Sequence, residues 1–317
     1  MSVISASRDK TILLPEMVPQ SKRELTNQEK LFTSLIAGAA AGSIAKTTIA
    51  PLDRTKINFQ ISNVPFSAKS AIKFLRASCE REGFFSLWRG NSATLARIVP
   101  YAAIQFSAHE QWRIILRVDV DRSTPLRRSL AGSLAGVTAV SMTYPLDMAR
   151  ARMAVTQKHL YSSLGEVFRK IWKEEGPKTL FRGYVPTVIG VIPYAGASFF
   201  TYETLKKLHK EYTGSPYANP FERLLFGAAA GLLGQSASYP LDIVRRRMQT
   251  ATVTGHQYAT ILSTIQKVVQ EEGIIHGLYK GLSMNWIKGP IAVGISFTGF
   301  DYLQAFFRWL FFSHNAF

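Results

Sequence analysis

Acidic residues and cysteine are both scarce in this sequence. Cys79 is the only cysteine, which excludes an internal disulfide framework. Lys and Arg outnumber Asp and Glu by 38 to 21, so the formal net charge is +17 at pH 7. A basic chain of this kind suits nucleic acid, anionic lipid or an anionic solute equally well, and charge alone does not choose among these partners.

The residue patterns of several kinds of site are also missing. There is no zinc-ligand spacing, and the aromatic residues lie in apolar runs rather than among basic residues, so we predict no nucleic-acid partner. The histidines are scattered and form neither a metal-binding set nor a nucleophile–base set. They are His109, His159, His209, His256, His276 and His314. The sequence therefore predicts no enzyme, no metal and no cofactor.

Residues 1–30 lack the features of a targeting segment. They contain Asp9, Glu16, Glu24 and Glu29, whereas a cleavable transit peptide is poor in acids. They also lack the apolar core of a secretory signal. We predict a short flexible tail here and no cleavable presequence.

Long runs with almost no charge stand out against the basic composition. Six segments of 18 to 22 residues contain at most one charged residue each. They are residues 31–52, 91–108, 129–146, 183–202, 224–241 and 282–300. A helix of about 20 apolar residues crosses the core of a bilayer. The sequence therefore predicts six membrane-spanning helices, with both termini on one side.

One motif recurs three times along the chain. The pattern Pro-x-Asp-x-x-Lys/Arg begins at Pro51, Pro145 and Pro240, so the copies are 94 and 95 residues apart. Each copy is followed by Glu-Gly and then by an aromatic residue, a cation and glycine. A repeat of this period indicates one structural unit used three times. The units cover residues 31–117, 126–210 and 220–311.

An amphipathic segment lies between the two apolar runs of each unit. The segments are residues 67–82, 161–175 and 258–272. Their helical period suits helices that lie on a membrane surface, so each unit reads as helix, surface helix, helix. Three such units around one axis can enclose a water-filled cavity, which is the arrangement in which proline-containing helices survive at membrane depth.

The triple motif resembles the signature of the mitochondrial carrier family, and the resemblance covers essentially the whole chain from about Leu31 onward. It implies an all-α membrane protein with six transmembrane helices in three pseudo-threefold repeats, with matrix-side amphipathic helices around a central cavity. It also implies a multi-pass protein of the mitochondrial inner membrane, with cardiolipin at the repeat glycines. We expect the chain to work as a monomer.

The charged residues of the three motifs form a predicted gate on the matrix side. An acid and a base three residues apart lie on one face of a helix, so all six charges can point inward, where unpaired charges are costly. The family's pairing rule implies Asp53 with Arg150, Asp147 with Arg245, and Asp242 with Lys56. Gln60 and Gln249 resemble the family's glutamine braces, whereas the second copy has Ala154. We call these six charges and two glutamines the matrix gate; the alternative is three independent pairs in solvent.

A second set of polar residues follows in the last helix of each unit. It comprises Glu110 with Arg113, Glu203 with Lys206, and Asp301 with Gln304. The resemblance implies that these residues close the opposite mouth in alternation with the matrix gate, so we call them the cytoplasmic gate. Because Gln304 stands in place of a third cation, this gate should be the weaker one. The alternative is ordinary solvated charges at helix ends.

Arg97, Gly190 and Lys288 occupy equivalent positions, seven residues after the glycine of each aromatic-cation-glycine triplet. The family's substrate contacts fall at these positions. The two cations, together with Lys46 in the first helix, predict a cationic cavity without an acid at that level, and phosphate oxygens are suitable counter-ions. The alternative for the three cations is snorkelling to the membrane interface.

A candidate base-binding surface adjoins these positions. Gly190 and Val191 offer a flat apolar shelf that resembles an adenine pocket of the family, and Tyr194 could stack on a base or hydrogen-bond to it. The alternative role for Gly190 is helix packing. Arg245 and Arg246, which we include in the site, begin an Arg-Arg-Arg-Met run that resembles the adenine nucleotide carriers, but a glutamine interrupts the methionines that usually follow.

Three longer stretches, 84–94, 99–106 and 283–290, are most similar to the members of the family that carry coenzyme A. This resemblance implies import of coenzyme A, or dephospho-coenzyme A, in exchange for adenine nucleotides by alternating access. Spacing and charge alone indicate only a multiply anionic, nucleotide-like substrate. The alternatives are a carrier of the ADP/ATP or ATP-Mg/phosphate type, a proton or fatty-acid-anion leak protein, and a membrane scaffold.

Overall fold

The computed structural model describes residues 27–118, 125–215 and 217–314, and every regular element in these ranges is helical. The helices are α1 (Asn27–Ile61), α2 (Ala68–Glu82), α3 (Asn91–Ile115), α4 (Pro125–Val155), α5 (Leu164–Lys170), α6 (Tyr184–Ile189), α7 (Val191–Thr213), α8 (Pro220–Thr254), α9 (Ile261–Glu272) and α10 (Leu282–His314). Short 3₁₀ or π segments follow the surface helices at Phe84–Trp88, Ile171–Glu175, Pro177–Phe181 and Ile274–Leu278. The tail predicted over residues 1–30 lies outside the described residues except for its last four, which belong to α1.

The helices repeat one plan three times. A long helix (α1, α4 or α8) leads to a short surface helix (α2, α5 or α9), and a second long helix closes the unit (α3, α6 with α7, or α10). The closest packing between long helices is α3 on α4, α7 on α8, and α10 on α1. The last helix of each unit therefore packs on the first helix of the next, and the third unit returns to the first.

Prolines 51, 145 and 240 lie inside α1, α4 and α8. A proline has no N–H to donate to the carbonyl four residues earlier. For Pro51 that carbonyl belongs to Thr47, and the indole N–H of Trp88 donates to it at 2.8 Å. The aromatic residue of the first aromatic-cation-glycine triplet thus satisfies the backbone group that the first motif proline leaves open.

The second unit's closing helix is divided into α6 and α7 at Gly190. Gly190 keeps a right-handed helical backbone (φ −63°, ψ −19°), and its N–H still bonds to the carbonyl of Pro186 at 3.0 Å. Pro193, three residues later, cannot donate to the carbonyl of Ile189, which weakens the helix at this point. The two helices together occupy the single run predicted at residues 183–202.

Two of the six predicted spans meet a length and hydropathy test for crossing a membrane. Within the described residues these are Thr33–Ile61 and Pro177–Thr213. The other four remain sequence predictions. Large apolar side chains on several long helices are exposed, including Val99 at 62%, Ile192 at 72% and Phe297 at 68%. Apolar surface of this kind is typical of a face that meets lipid or a partner.

The densest packing lies around the C-terminal halves of α1, α4 and α8. One apolar cluster joins α4 to α5 through Met148 and Val167, and another joins α8 to α9 through Val244 and Ile265. The surface helices therefore seal one end of the bundle. This is the end that carries the three motif copies.

Candidate functional site

Three ion pairs join the first helices of the units at the sealed end. Lys56 Nζ on α1 lies 2.9 Å from Asp242 Oδ2 on α8, and Arg245 on α8 reaches Asp147 on α4 at 2.5 Å. Arg150 on α4 pairs with Asp53 on α1. These are the three pairs that the family's pairing rule implied. They close a ring between repeats 1 and 2, 2 and 3, and 3 and 1.

The two glutamines of the matrix gate each hold an aspartate. Gln249 Nε2 donates to Asp147 Oδ2 at 2.8 Å, and Gln60 Nε2 donates to Asp242 Oδ2 at 3.1 Å. The pair between Asp53 and Arg150 has no equivalent glutamine, because Ala154 stands there.

Two tyrosines extend these braces, and the sequence prediction missed them. Gln249 also donates to Tyr144 Oη at 2.9 Å, and Gln60 to Tyr239 Oη at 3.3 Å. Both tyrosines immediately precede a motif proline, whereas the first copy has Ala50 at that position. The Tyr-Pro pair in copies 2 and 3 was the available signal. Copy 1 lacks this tyrosine, and its Asp53 is also the aspartate that has no glutamine, because copy 2 has Ala154.

Arg97 and Lys288 also contact the gate aspartates, and this corrects the prediction of a cationic level without an acid. Arg97 Nη1 lies 3.1 Å from Asp147 Oδ1, and Lys288 Nζ lies 2.6 Å from Asp53 Oδ1. Because these side chains are long, the charged groups of Arg97 and Lys288 lie at the depth of the gate aspartates. The contacts also exclude snorkelling for both cations, because each one points to the centre of the bundle.

The same geometry leaves one aspartate without such a cation. Each of these cations binds the aspartate of the following repeat, so the position equivalent to Arg97 and Lys288 that would serve Asp242 is Gly190. Glycine has no side chain to offer. Asp242 therefore keeps Lys56 and the glutamine brace and faces an open space at Gly190.

That space is a cavity of about 320 Å³ between α4, α6, α7, α8 and α10. The described residues that line it include the shelf of Gly190 and Val191, with Tyr194 one turn on. Polar groups complete the wall: Lys56, Thr187, Gln235, Ser238, Asp242, Arg245 and Asn285. The structure thus brings the predicted base shelf next to one of the predicted cations, Arg245.

Two other predicted binding cations, Arg97 and Arg246, share Asp147 with Arg245 of the cavity wall. Arg97 and Arg245 bind opposite oxygens of Asp147, so Arg97 is separated from the cavity wall by one carboxylate. Arg246 is buried and bonds to Asp147 at 3.2 Å and to Gln249 Oε1 at 2.8 Å, which places it inside the matrix gate rather than on a free surface.

Lys46 is the least engaged of the predicted cations. It is exposed, and it has no hydrogen bond or ion pair among the described residues. It lies within electrostatic range of Asp53, Arg150, Arg97 and Lys288. Because Lys46 precedes Asp53 by two helical turns, both side chains lie on the same face of α1. Lys46 therefore belongs to the inner face of the bundle, farther from the sealed end.

The residues of the cytoplasmic gate lie toward the other ends of α3, α7 and α10. Arg113 pairs with Glu110 at 3.2 Å, and Lys206 with Glu203 at 3.9 Å, each within its own helix. Asp301 is exposed, and Gln304 donates to Ser34 Oγ on α1 at 3.0 Å.

A further ring of arginines lies below the matrix gate, and the sequence prediction did not assign it a role. Arg54, Arg152 and Arg247 are almost fully buried. Each donates to the glutamate of its own repeat's Glu-Gly pair, which ties a first helix to its surface helix. The pairs are Arg54 with Glu82 at 2.9 Å, Arg152 with Glu175, and Arg247 with Glu272. Burial raises the pKa of Glu175, but the hydrogen bonds and charge of Arg152 outweigh it and hold that pKa below its usual value.

The same arginines also link one repeat to the next. Each uses its Nε to donate to a main-chain carbonyl in the first helix of the following repeat, at the position of the glutamine brace. The contacts are Arg54 to Ala154 at 3.2 Å, Arg152 to Gln249 at 3.3 Å, and Arg247 to Gln60 at 3.1 Å. Arg54 stands three residues after its proline, whereas the other two stand seven after theirs. This shift in register hid the ring from a comparison of the repeats.

Comparisons with known proteins agree with the repeat structure. The family model described as "Mitochondrial carrier protein" matches residues 27–119, 121–213 and 217–310. The "Mitochondrial coenzyme A transporter SLC25A42" of Rattus norvegicus is 62% identical over 90% of this chain and 91% of its own length, and the Homo sapiens protein of that name is 60% identical over 92% of each. "Solute carrier family 25 member 16" of Mus musculus is 39% identical over 87% of this chain and 88% of its own. The chain therefore belongs to the mitochondrial carrier family, whose members sit in the mitochondrial inner membrane, and this confirms the fold class and the location predicted from the sequence.

Proposed function

We propose that this chain imports coenzyme A, or dephospho-coenzyme A, across the mitochondrial inner membrane in exchange for adenine nucleotides. Relatives about 60% identical over nearly the whole chain are named coenzyme A transporters, and those relatives are transporters rather than enzymes. Coenzyme A contains an adenosine 3′,5′-bisphosphate and a long pantetheine arm. A cavity that places an apolar shelf beside arginine suits both the base and the phosphates.

The observation that carries the proposal is the double engagement of the gate aspartates. Asp147 is shared by Arg245 and Arg97, and Asp53 is shared by Arg150 and Lys288. Phosphate oxygens compete with carboxylates for arginine and lysine. A phosphorylated substrate that takes Arg97 and Lys288 therefore removes one partner from each of two gate aspartates.

This competition couples substrate binding to the opening of the matrix gate. A ligand shifts a conformational equilibrium only by its difference in affinity for the two states. Substrate phosphates gain the contacts of Arg97 and Lys288 while the matrix gate loses them, so binding favours the state in which that gate is open. The proposal takes the described arrangement as the state open toward the cytoplasm, since the matrix-gate pairs Lys56–Asp242 and Arg245–Asp147 join different repeats, whereas Glu110–Arg113 and Glu203–Lys206 each lie within one helix.

The base end of the substrate fits the cavity beside this gate. Gly190 and Val191 present the apolar shelf, and Tyr194 is 45% exposed, so its ring is available to a base. A Cβ added at Gly190 would lie 3.1 Å from the Pro186 carbonyl oxygen, a tight contact, and 3.7 Å from the Leu241 Cβ on α8, an ordinary one. Packing against α8 therefore does not by itself demand glycine here.

The test is a counter-exchange panel with the purified carrier in liposomes. The external substrates are coenzyme A, dephospho-coenzyme A, ADP, ATP, adenosine 3′,5′-bisphosphate and a dicarboxylate, each offered against internal ADP. We expect uptake of coenzyme A or its dephospho form to exceed that of ADP and ATP, and to require the internal nucleotide. Faster exchange of ADP or ATP would favour the adenine nucleotide carrier, and proton conductance without solute uptake would favour the leak protein. Cardiolipin binding and the monomeric state remain predictions.

A further inference from the structure

Asn285 is a buried polar side chain with an unsatisfied carbonyl. It lies in the first turn of α10, only 3% of its surface is exposed, and its Oδ1 has no hydrogen-bond partner. It also lines the cavity that holds Gly190, Val191 and Tyr194. Buried side-chain oxygens in native proteins are nearly always bonded, so an unbonded one in a cavity-lining residue calls for an explanation.

The two equivalent positions in the other repeats are satisfied within their own helices. Thr94 and Thr187 stand three residues before Arg97 and Gly190, just as Asn285 stands three before Lys288. Thr94 Oγ1 donates to the carbonyl of Gly90, and Thr187 Oγ1 donates to the carbonyl of Gly183. The asparagine is therefore a departure from the repeat, and its amide is not needed for the local helix.

The chemistry of the unbonded Asn285 Oδ1 limits what can bind it. A carbonyl oxygen only accepts hydrogen bonds, so phosphate oxygens, which also only accept, cannot satisfy Asn285 Oδ1. The partner must donate an N–H or O–H. Adenine offers its 6-amino group next to the acceptor N7, and an asparagine amide pairs with both at once, whereas a purine with a 6-oxo group presents two acceptors at that edge.

We propose that Asn285 recognises the 6-amino edge of the substrate's adenine and so makes the carrier select adenine over purines with a 6-oxo group. This inference rests on the proposed function, because it assigns the base of that substrate to the cavity at Gly190. Asn285 acts as a specificity-determining residue. The phosphates are left to Arg97 and Lys288.

The test compares coenzyme A with its analogue in which hypoxanthine replaces adenine. The two molecules share their phosphates, ribose and pantetheine arm, so only the base edge differs. At limiting concentration we expect the wild-type carrier in liposomes to prefer coenzyme A about tenfold, which lies within the discrimination that a bidentate pair to a base edge provides. Asn285→Leu should bring this preference close to one while it keeps uptake of the hypoxanthine analogue.

Two further variants keep the test decisive. Asn285→Thr copies the residue of the other two repeats, so it should fold and also lose the preference. Thr94→Val changes the equivalent position of repeat 1, away from the described lining of the cavity, and should retain the preference. A wild-type preference that is absent, or that persists in both Asn285 variants, overturns the assignment while leaving coenzyme A transport intact. If the wild type takes up neither compound, the proposed function itself fails, and this inference fails with it.

Discussion

Lys288 on α10 and Arg150 on α4 bind opposite oxygens of the same carboxylate, that of Asp53 on α1. One aspartate thus joins a predicted substrate cation to a predicted gate cation. Arg97 and Arg245 share Asp147 in the same way. In the described state the predicted substrate cations Arg97 and Lys288 are held by the gate aspartates, so under the proposed function a substrate must compete for them.

Removal of either cation should reduce transport. We expect Arg97→Ala and Lys288→Ala each to lower uptake of labelled coenzyme A into liposomes at least about tenfold, since a charge-assisted hydrogen bond contributes about 1.5–3 kcal/mol. Arg76→Ala is the matched control, because Arg76 lies on α2 and is 83% exposed. Wild-type rates in both test variants would remove these residues from the substrate site.

Loss of a brace should weaken the closed gate. Gln249 is fully buried and bonds to Asp147, Tyr144 and Arg246. Gln249→Ala leaves buried partners unsatisfied, which costs about 1–3 kcal/mol. Thermal unfolding in detergent should therefore show a Tm lower by several degrees, while Gln157→Ala on the exposed loop should leave the Tm unchanged. An equal Tm for the two variants would contradict the brace.

The shifted arginine of repeat 1 allows a rescue experiment. Arg54→Met removes the partner of Glu82 and copies Met148 of repeat 2, and we expect a loss of about 2 kcal/mol because Glu82 is only partly buried. Adding Asn58→Arg places an arginine in the register of Arg152. The double variant should recover at least half of the lost Tm. Failure to recover it would show that the two registers are not equivalent.

Alanine substitutions at two glycines can distinguish the cost of backbone strain from the cost of steric crowding. Gly176 and Gly183 both have positive φ, at +86° and +84°, but only at Gly183 would a Cβ meet neighbouring atoms, the Arg245 carbonyl oxygen and Tyr144 Oη, both at 3.0 Å. Gly176→Ala should cost about 1 kcal/mol through its backbone conformation alone. Gly183→Ala should lower the Tm further and slow uptake, since it presses on the matrix gate. Equal changes in Tm and uptake for the two variants would contradict this prediction, because they would mean that the matrix gate accommodates the added methyl group.

The threefold register explains what could be predicted from the sequence. Spacing alone indicated that the charges of the three motifs meet at one depth, and the family resemblance implied which cation pairs with Asp53, Asp147 and Asp242. The bonds from Arg97 and Lys288 to those aspartates depend on how far long side chains extend between helices, which spacing does not report.

The remaining features lie where the repeats differ from one another. Arg54 binds Glu82 from one helical turn earlier than Arg152 and Arg247 bind their glutamates, so an alignment of the three copies does not place the three arginines together. The missing hydrogen-bond partner of Asn285 Oδ1 can be recognised only in the packed structure. Tyr144 and Tyr239 are the exception, because the Tyr-Pro pair was present in two copies of the motif and marked the two braced pairs.

The three aspartates are not held equally. Asp147 has three arginines and a glutamine, Asp242 has one lysine and a glutamine, and Asp53 has one arginine and one lysine without a brace. Grouped by repeat, these contacts give each interface between repeats two ion pairs, but only the interface of repeats 2 and 3 and that of repeats 3 and 1 also have a glutamine. The contact between α1 and α4 is therefore the least reinforced, and an opening that begins there would place the passage off the molecular axis.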